Sequence, residues 1–391
     1  MAKTHTKMIP AAVFDISSSS VAGAHVLLPK SADTTAKVSI LASSRLLSQP
    51  KEDLTIERFV DSTIVQLEKT IALLKKADNH TPDSIHVLLA SPWFISQTRA
   101  IVYNKTSPFV CTQKLVDSLI EKEISYIIEH DMERFGSMGK QGIIIERQIS
   151  QIKLNGYTTN SPFGKKAESI ELFLVVTVAP KAIIERFKTA FQKDYAKAPI
   201  SFTTSPYASF VVARDFLQAP KELLIVDVGE EITDVACIKD ELFLSQYSFP
   251  VGLFGLYRSL VKNGDTTLSE AHALLEAFKL AKLSAPMTST VQKTLEAFGA
   301  SWGRAFQEVL TVGQNSIKLP ETSYIISDPR FDTFFVDVIK QDLFSGHVAS
   351  TPAYKASAIS YETFAPHVTS LDTGTIDVTI VIASLFASRV M

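Results

Sequence analysis

Two segments far apart in this sequence share one pattern: an apolar strand that runs into an aspartate and is followed by a turn of small residues. In residues 11–21, Asp15 comes shortly before four serines, and in residues 221–234, Asp227 comes shortly before Gly229. A hairpin of this kind can offer backbone N–H groups from its turn and a carboxylate held at a strand end, which a phosphate and its metal require. The pair therefore predicts a two-lobed nucleotide fold in which one hairpin from each lobe faces a shared cleft.

An ordinary turn is the alternative interpretation of each segment taken alone. Asp, Ser and Gly are the usual residues of a β-turn that follows a buried strand, and short motifs have low specificity. The pairing of the two segments favours the nucleotide-binding interpretation.

Length and composition limit the classes of function. A chain of 391 residues is expected to divide into two or more domains. Its net charge of -2 gives no preference for nucleic acid, so we do not expect nucleic-acid binding. Cys111 and Cys237 fit neither the spacing of a metal site nor a disulfide framework. No apolar run is long enough to span a membrane, and residues 1–10 lack the pattern of a secretory signal. We therefore expect a reduced, cytoplasmic setting.

Residues 1–90 have the element order of one half of an α/β domain. Apolar runs predict a hairpin over residues 13–28 and strands over residues 38–47 and 85–90. Between these strands, apolar residues recur at helical spacing from Ile56 to Leu74 and predict an amphipathic helix.

Residues 91–199 have a different pattern. Their apolar periodicities and turn signals predict a small α+β subdomain inserted into the larger domain. The predicted elements are strands over residues 98–103, 142–149 and 169–178, and helices over residues 112–129 and 181–191.

The remaining residues predict a second half-domain and a buried end. After the second turn we predict two strands, over residues 241–248 and 323–326, and four helices, over residues 253–261, 268–278, 290–312 and 331–343. Residues 375–391 are strongly apolar and carry only one cation, Arg389, whereas a helix on a membrane surface normally carries several. We expect this end to be a buried element rather than a lipid anchor.

The two turns and the insertion, in this order, resemble the actin-like ATPase superfamily, and within it the FtsA/PilM type of bacterial division and pilus proteins. The resemblance covers nearly the whole chain, because both turns, the strand into Ser327 and the insertion fall in the family's order. The insertion is the discriminating part, since FtsA and PilM carry a subdomain before the second turn, where residues 91–199 lie. Within it, the turns at Asn155-Gly156 and Pro162-Phe163-Gly164 are similar to those of FtsA.

The resemblance implies an α/β fold of two lobes, an actin-like duplication of a ribonuclease H-like core, with a small inserted α+β subdomain. It also implies a division of the chain. The first lobe would comprise residues 1–90, the insertion 91–199, a return to the first lobe 200–221, the second lobe 222–350, and a C-terminal return to the first lobe 351–391.

Roles for individual residues follow from the same resemblance. Asp15 and Asp227 would be the catalytic carboxylates and would organise Mg²⁺ between the lobes. The residues implied to bind ATP are Ser17, Ser18 and Ser19 in the first phosphate loop, Gly229, Thr233 and Asp234 in the second, and Ser327 in the adenosine loop. For a water-activating base, Glu230 is the nearest candidate, and a structural surface glutamate is the alternative.

Departures from the family's pattern predict weak or absent ATP binding and ATPase activity. Ser17 stands where the family usually has Gly, and Glu230 and Glu231 stand in what is usually a Gly-rich turn. A carboxylate close to a phosphate oxygen is repelled by about 1 kcal/mol in water and by several times more in a cleft. Pro329 removes an N–H from the adenosine loop and stiffens it. If a nucleotide binds, we expect it to close the lobes as a conformational ligand rather than to serve as fuel.

Three functions from different classes stay open, because fold alone does not separate them. The FtsA-like insertion favours a scaffold of bacterial cell division that binds partner proteins and associates into filaments. The lack of a basic membrane helix at the end of the sequence favours a PilM-like adaptor of type IV pilus assembly that binds a peptide of an inner-membrane partner. The third is a metabolic kinase of the same superfold. In the first two, partners would bring the protein to the inner face of the cell membrane.

Overall fold

The computed structural model describes residues 7–30, 36–48, 55–314, 320–340, 355–371 and 376–390. Its strands are β1 (Met8–Ile16), β2 (Ser20–Pro29), β3 (Val38–Leu47), β4 (Ser84–Leu89), β5 (Ile95–Val110), β6 (Gly142–Leu154), β7 (Tyr157–Thr158), β8 (Lys166–Pro180), β9 (Ile200–Thr204), β10 (Leu223–Val228), β11 (Thr233–Lys239), β12 (Leu242–Phe249), β13 (Thr322–Ile326), β14 (Lys355–Ala358) and β15 (Val368–Ser370).

The α-helices of the described residues are α1 (Ile56–Ala77), α2 (Gln113–His130), α3 (Lys181–Gln192), α4 (Ser205–Phe216), α5 (Leu253–Gly264), α6 (Leu268–Lys279), α7 (Ala285–Gln314), α8 (Asp332–Lys340), α9 (Tyr361–Phe364) and α10 (Val378–Val390). A 3-10 segment (Met132–Lys140) follows α2. The helix predicted over residues 331–343 corresponds to α8, and residues 341–343 lie outside the described part.

Two sheets repeat one strand order and divide the body of the protein into two lobes. The order is β15-β3-β2-β1-β4-β9 in the sheet of the first lobe and β12-β11-β10-β13-β14 in the sheet of the second lobe. In each lobe an antiparallel hairpin, β1–β2 or β10–β11, is extended by two parallel strands, β4 and β9 or β13 and β14. The predicted two-lobed, duplicated α/β fold is confirmed.

The duplication places Asp15 and Asp227 at equivalent positions. Each is the second-to-last residue of the central strand of its lobe, β1 or β10. Both strands have neighbours on both sides, so they are built from nearly continuous apolar residues. The aspartates therefore stand where two buried strands reach the edge of their sheets.

The inserted subdomain contains the third sheet, which is antiparallel and has the order β5-β8-β6-β7. Helix α2 packs its apolar face on this sheet through Val116, Ile120, Ile124 and Ile127. The core beneath α2 continues into the first lobe, where Trp93 stacks on Phe59 with ring centroids 4.9 Å apart. The predicted strands and helices of this stretch are present, although β5 extends beyond the predicted residues 98–103.

Helices α4 and α10 pack in one core with strands of both lobes. That core contains Val13 of β1, Ile225 of β10 and eight of the thirteen residues of α10. A helix that is apolar on nearly all sides must be buried, so the expected buried end is confirmed for residues 376–387, whereas Val390 is 52% exposed; residues 375 and 391 lie outside the described part. In the part of the chain that the structure describes, no helix is long and apolar enough to cross a membrane.

Candidate functional site

A cleft of about 530 Å³ opens where β1 and β10 end. Asp15 and Asp227 both line it, so the prediction that they face one cleft is confirmed, whereas their catalytic and metal-binding roles stay predictions. Seven of the nine residues predicted for the site line this cleft: Asp15, Ser17, Ser18, Asp227, Gly229, Asp234 and Ser327.

Thr233 does not line the cleft but points into the second lobe. Its hydroxyl donates to the Val251 carbonyl at 2.7 Å and accepts the Trp302 indole N–H at 3.1 Å, and the residue is fully buried. Thr233 therefore ties α7 to the segment before α5. The side chains of a strand alternate between its two faces, which places Thr233 and its neighbour Asp234 on opposite sides of β11 and corrects the prediction that Thr233 contacts a phosphate.

Ser19 is the second residue that lies outside the cleft. It lines a separate depression with Phe59 and Arg258 on the far side of the first turn, and its carbonyl accepts the Ser48 N–H at 2.7 Å. The first turn closes between Ser17 and Ser20, with the Ser17 N–H donating to the Ser20 carbonyl at 3.0 Å. The structure corrects the prediction for Ser19, because this residue lines the separate depression and not the cleft.

Arg45, near the end of β3, lies at the base of the cleft, and the sequence analysis missed it. A guanidinium carries five N–H donors, and each of them has an acceptor here. Nε donates to the Asp377 carboxylate. Nη1 donates to the Ser20 hydroxyl and, at 3.4 Å, to the Glu230 carboxylate. Nη2 donates to the Asp15 carboxylate at 2.9 Å and to the Thr379 hydroxyl at 2.7 Å. Burial alone would lower the pKa of Arg45, but the three carboxylates outweigh it and raise the pKa.

Both oxygens of the Asp15 carboxylate are occupied by donors of the protein. Oδ2 accepts from Arg45 at 2.9 Å and from Thr379 at 3.1 Å, and Oδ1 accepts from the Ser205 hydroxyl at 3.2 Å. Burial raises the pKa of Asp15, and Arg45 opposes that rise. Asp15 therefore serves as an acceptor for three parts of the chain.

The backbone polar groups of the second turn, residues 229–232, form hydrogen bonds with one another and with the start of α5. The Gly229 N–H donates to the Ile232 carbonyl at 3.0 Å, so this amide is not directed at a ligand. The first two amides of α5, those of Leu253 and Phe254, donate to the carbonyls of Gly229 and Glu230 at 3.0 and 2.7 Å. The N-terminus of a helix attracts anions through such free amides. Here the turn itself satisfies them.

Direct hydrogen bonds join the turns of the two lobes. The Ser17 hydroxyl donates to the Glu230 carboxylate at 2.6 Å, and the Glu231 N–H donates to the Ser18 hydroxyl at 3.3 Å. Glu230 is nine-tenths buried. Its carboxylate thus lies against the first turn, where the resemblance implied a phosphate.

Asp234 joins the second lobe to the segment that follows β4. Its carboxylate accepts the N–H of Ser91 at 2.9 Å and the hydroxyl of Ser91 at 2.6 Å. Ser91 follows β4, and the sequence analysis did not identify it. Burial raises the pKa of Asp234 to about 6, although the hydrogen bonds from Ser91 oppose the rise.

The Asp227 carboxylate has a different environment from that of Asp15. Burial and the nearby carboxylates Asp15, Asp234 and Glu230 raise its pKa well above the ordinary value, and Arg45 offsets this only in part. No donor among the described residues forms a side-chain hydrogen bond with it. Burial and the three nearby carboxylates therefore favour protonation of Asp227.

The outer wall of the cleft is aromatic and partly closed by ion pairs. The ring of Tyr257 stacks on His272 with centroids 3.9 Å apart, and Asp328 pairs with Arg330 on the other side of Pro329. The Ser327 hydroxyl donates to Asp332 at 2.6 Å. Ser327 thus lines the cleft, but its hydroxyl is used within its own segment.

These contacts do not fit Mg-ATP. The amide of Gly229 and the first amides of α5 are used, Glu230 lies against the first turn, and the oxygens of Asp15 are occupied by protein donors. As they are arranged in this structure, no three His, Cys, Asp or Glu side chains of the described residues form a group that could hold a metal ion. An added triphosphate would meet a surface whose carboxylates outnumber its cations.

No protein-family profile and no curated protein matches the chain. Solved structures match it along nearly its whole length. A structure of the PilM–PilN type IV pilus biogenesis complex covers 97% of this chain and 96% of its own, with a TM-score of 0.61 and 13% identity. The ethanolamine utilization protein EutJ from Carboxydothermus hydrogenoformans also matches, with 10% identity, coverage of 97% and 89%, and a TM-score of 0.45. A ROK family glucokinase from Streptomyces griseus matches with 9% identity and a TM-score of 0.45, and the match covers 97% of this chain and 99% of the glucokinase.

The TM-score of the PilM–PilN match and its coverage of nearly the whole chain show the fold alone, because the identity is only 13%. The chain therefore has the actin-like α/β fold that the resemblance implied. They do not distinguish the FtsA/PilM type from other members of the superfamily.

Proposed function

We propose that this protein is an adaptor of the PilM kind, which binds a protein partner and does not hydrolyse ATP. The observation that carries the proposal is the contact between Ser17 and Glu230, since it joins the two turns where a phosphate would otherwise lie. The full-length similarity to a protein in a PilM–PilN complex supports the choice of adaptor. The partner in this proposal is a short peptide of an inner-membrane pilus protein, which would hold the adaptor at the inner face of the membrane.

The inserted subdomain offers the surface for this partner. Among the described residues, seven of fourteen exposed large apolar side chains lie in residues 91–199, which form little more than a quarter of the chain: Val102, Val110, Tyr126, Ile144, Ile149, Tyr157 and Phe163. Strand β5 is the edge of its sheet, with β8 as its neighbour. Near its start it meets β12, where the Thr98 hydroxyl donates to the Leu244 carbonyl at 3.0 Å, so the edge offered to a partner is the part from Val102 onward. An edge strand can accept an extended peptide as a further strand, with apolar side chains giving specificity.

Titration calorimetry with Mg-ATP tests the nucleotide half of the proposal. We expect no binding heat in the micromolar range and no phosphate release. Micromolar binding with rapid turnover would contradict the adaptor and support an ATPase or a kinase.

A capture experiment from native membranes tests the partner half. Val102→Asp places a charge on β5, and Leu280→Asp is the matched control, because the two side chains are 60% and 61% exposed. We expect the wild type and the Leu280 variant to retain a pilus assembly protein that the Val102 variant loses. Equal capture by all three would refute β5 as the binding edge.

A scaffold of bacterial cell division is the second candidate, favoured by the FtsA-like turns at Asn155-Gly156 and Pro162-Phe163-Gly164. Its working state would be a filament, with division proteins as partners. Sedimentation of the purified protein separates the two candidates, since a pelletable polymer and captured division proteins would favour the scaffold.

A further inference from the structure

Arg45 joins three segments of the chain at the base of the cleft. It contacts Asp15 in the first lobe, Glu230 in the turn of the second lobe, and Asp377 immediately before α10. Without the guanidinium, three carboxylates would face one another with no cation between them. Leaving buried charges unpaired in this way is strongly unfavourable.

The base of the cleft requires a positive charge. Asp227 and Asp234 line the same cleft as the three acids at Arg45. Carboxylates gathered in a poorly solvated site repel one another unless a cation lies among them. In a nucleotide-binding cleft, a divalent metal and its waters would supply that cation.

The guanidinium satisfies this requirement with protein atoms alone. Its five donors contact three carboxylates and two hydroxyls, which is its full hydrogen-bonding capacity. Because the guanidinium is planar and its five N–H donors point in fixed directions, it fixes the relative positions of the groups that it contacts. Because Asp15 and Glu230 belong to different lobes, fixing them holds the two lobes at one separation.

We propose that Arg45 is a built-in replacement for the divalent cation, and that it holds the two lobes together without metal or nucleotide. The lobes then stay closed in the absence of any small ligand. This inference goes beyond the adaptor function and does not depend on which partner binds.

The proposal is tested by removing the guanidinium and supplying a metal in its place. The variant is Arg45→Ala, and the control is Arg258→Ala, which removes the Arg258–Glu231 ion pair on the other side of the same turn. Hydrogen exchange reports closure through the amides of residues 17–20 and 229–232. In the presence of a chelator, we expect these amides to exchange about tenfold faster or more in the Arg45 variant, and to be unchanged in the control.

Metal alone is the second probe. Millimolar Mg²⁺ or Mn²⁺ should raise the melting temperature of Arg45→Ala by several degrees and slow exchange at the two turns, because a cation that binds only the folded protein stabilises it. The wild type and the control should show neither change. An equal response of the wild type to metal, or turns that stay protected in the Arg45 variant without metal, would overturn the proposal.

Two further measurements apply if Arg45→Ala does not fold. Arg45→Lys keeps the positive charge but loses the planar set of N–H donors. We therefore expect faster amide hydrogen exchange at both turns, without any response to metal. In the wild type, exchange at the two turns should be the same with and without Mg-ATP. A wild type whose turns are protected only when Mg-ATP is present would refute the proposal without any variant.

Discussion

The hydroxyl of Ser17 lies 2.6 Å from the Glu230 carboxylate, and this hydrogen bond joins the turns of the two lobes. A hydrogen bond to a charged group contributes about 1.5 to 3 kcal/mol. We therefore expect a double-mutant cycle of Ser17→Ala and Glu230→Ala, measured by chemical unfolding, to give a coupling energy of about 1 kcal/mol or more. The Glu231–Arg258 pair is the control, because an exposed ion pair of this kind should give less. A coupling near zero would mean that the two turns are not joined in solution.

Gly252 allows the second turn to approach the start of α5. A Cβ atom at this position would lie 2.5 Å from the Gly229 carbonyl oxygen and 2.6 Å from the backbone of Glu230. Because backbone atoms cannot move aside as a flexible side chain can, Gly252→Ala should lower the free energy of unfolding by about 1 to 3 kcal/mol. Gly303→Ala is the control, since its Cβ would meet Val338 at 3.5 Å and alanine favours a helix. Equal melting temperatures of the two variants would contradict the close approach.

Thr233 is expected to act on stability rather than on ligand binding. Thr233→Val would leave the Val251 carbonyl and the Trp302 indole N–H without their partner, at a cost of about 1 to 3 kcal/mol. Thr311→Val on the exposed face of α7 is the control and should change stability little. Thermal unfolding of both variants checks this. An unchanged melting temperature for Thr233→Val would contradict a stabilising role for these two hydrogen bonds.

Asp227 should destabilise the folded protein at neutral pH. Its pKa is raised well above the ordinary value by burial and by three neighbouring carboxylates, so the folded protein loses stability as pH rises through that pKa. Asp227→Asn removes the charge and should increase the free energy of unfolding by about 1 kcal/mol at pH 7, with no difference in acid where the wild type is protonated. Asp337→Asn on the exposed face of α8 should show no such gain. A loss of stability in Asp227→Asn would indicate that the carboxylate has a partner in solution.

Glu146 should make stability depend on pH. This carboxylate lies between the inserted sheet and the start of α4, where it accepts from the Thr204 N–H at 2.7 Å. Burial raises its pKa to about 7, so its contribution to stability is complete below about pH 4.5 and is lost as pH rises through 7. The difference in unfolding free energy between wild type and Glu146→Gln should therefore fall by at most about 1.4 kcal/mol per pH unit over that window and then level off. Glu129→Gln on the exposed face of α2 is the control, and a fall of the same size in that variant would contradict the role of burial at Glu146.

The fold could be predicted because its signals are local. Strand, aspartate and turn follow one another in sequence at Asp15 and Asp227, and the repeated order of elements then places both at one cleft. Arg45 could not be predicted, since alternation in β3 gives the face of a side chain but not what lies opposite it. Its partners Glu230 and Asp377 are brought to it only by the packing of the two lobes and α10. The resemblance assigns both Thr233 and Asp234 to the second phosphate loop, but adjacent residues on a strand face opposite ways, so only Asp234 lines the cleft.

The position of α10 has a consequence for synthesis on the ribosome. Residues 378–387 pack in a core whose other walls include β1, which is made long before α10, and Asp377 completes the set of acceptors around Arg45. A nascent chain that has emerged only as far as β14 has both hairpins but an open groove between them, with its apolar walls exposed to water. Such late, non-local completion slows folding and leaves an intermediate prone to aggregate. We therefore expect that chaperones bind the nascent chain until α10 emerges.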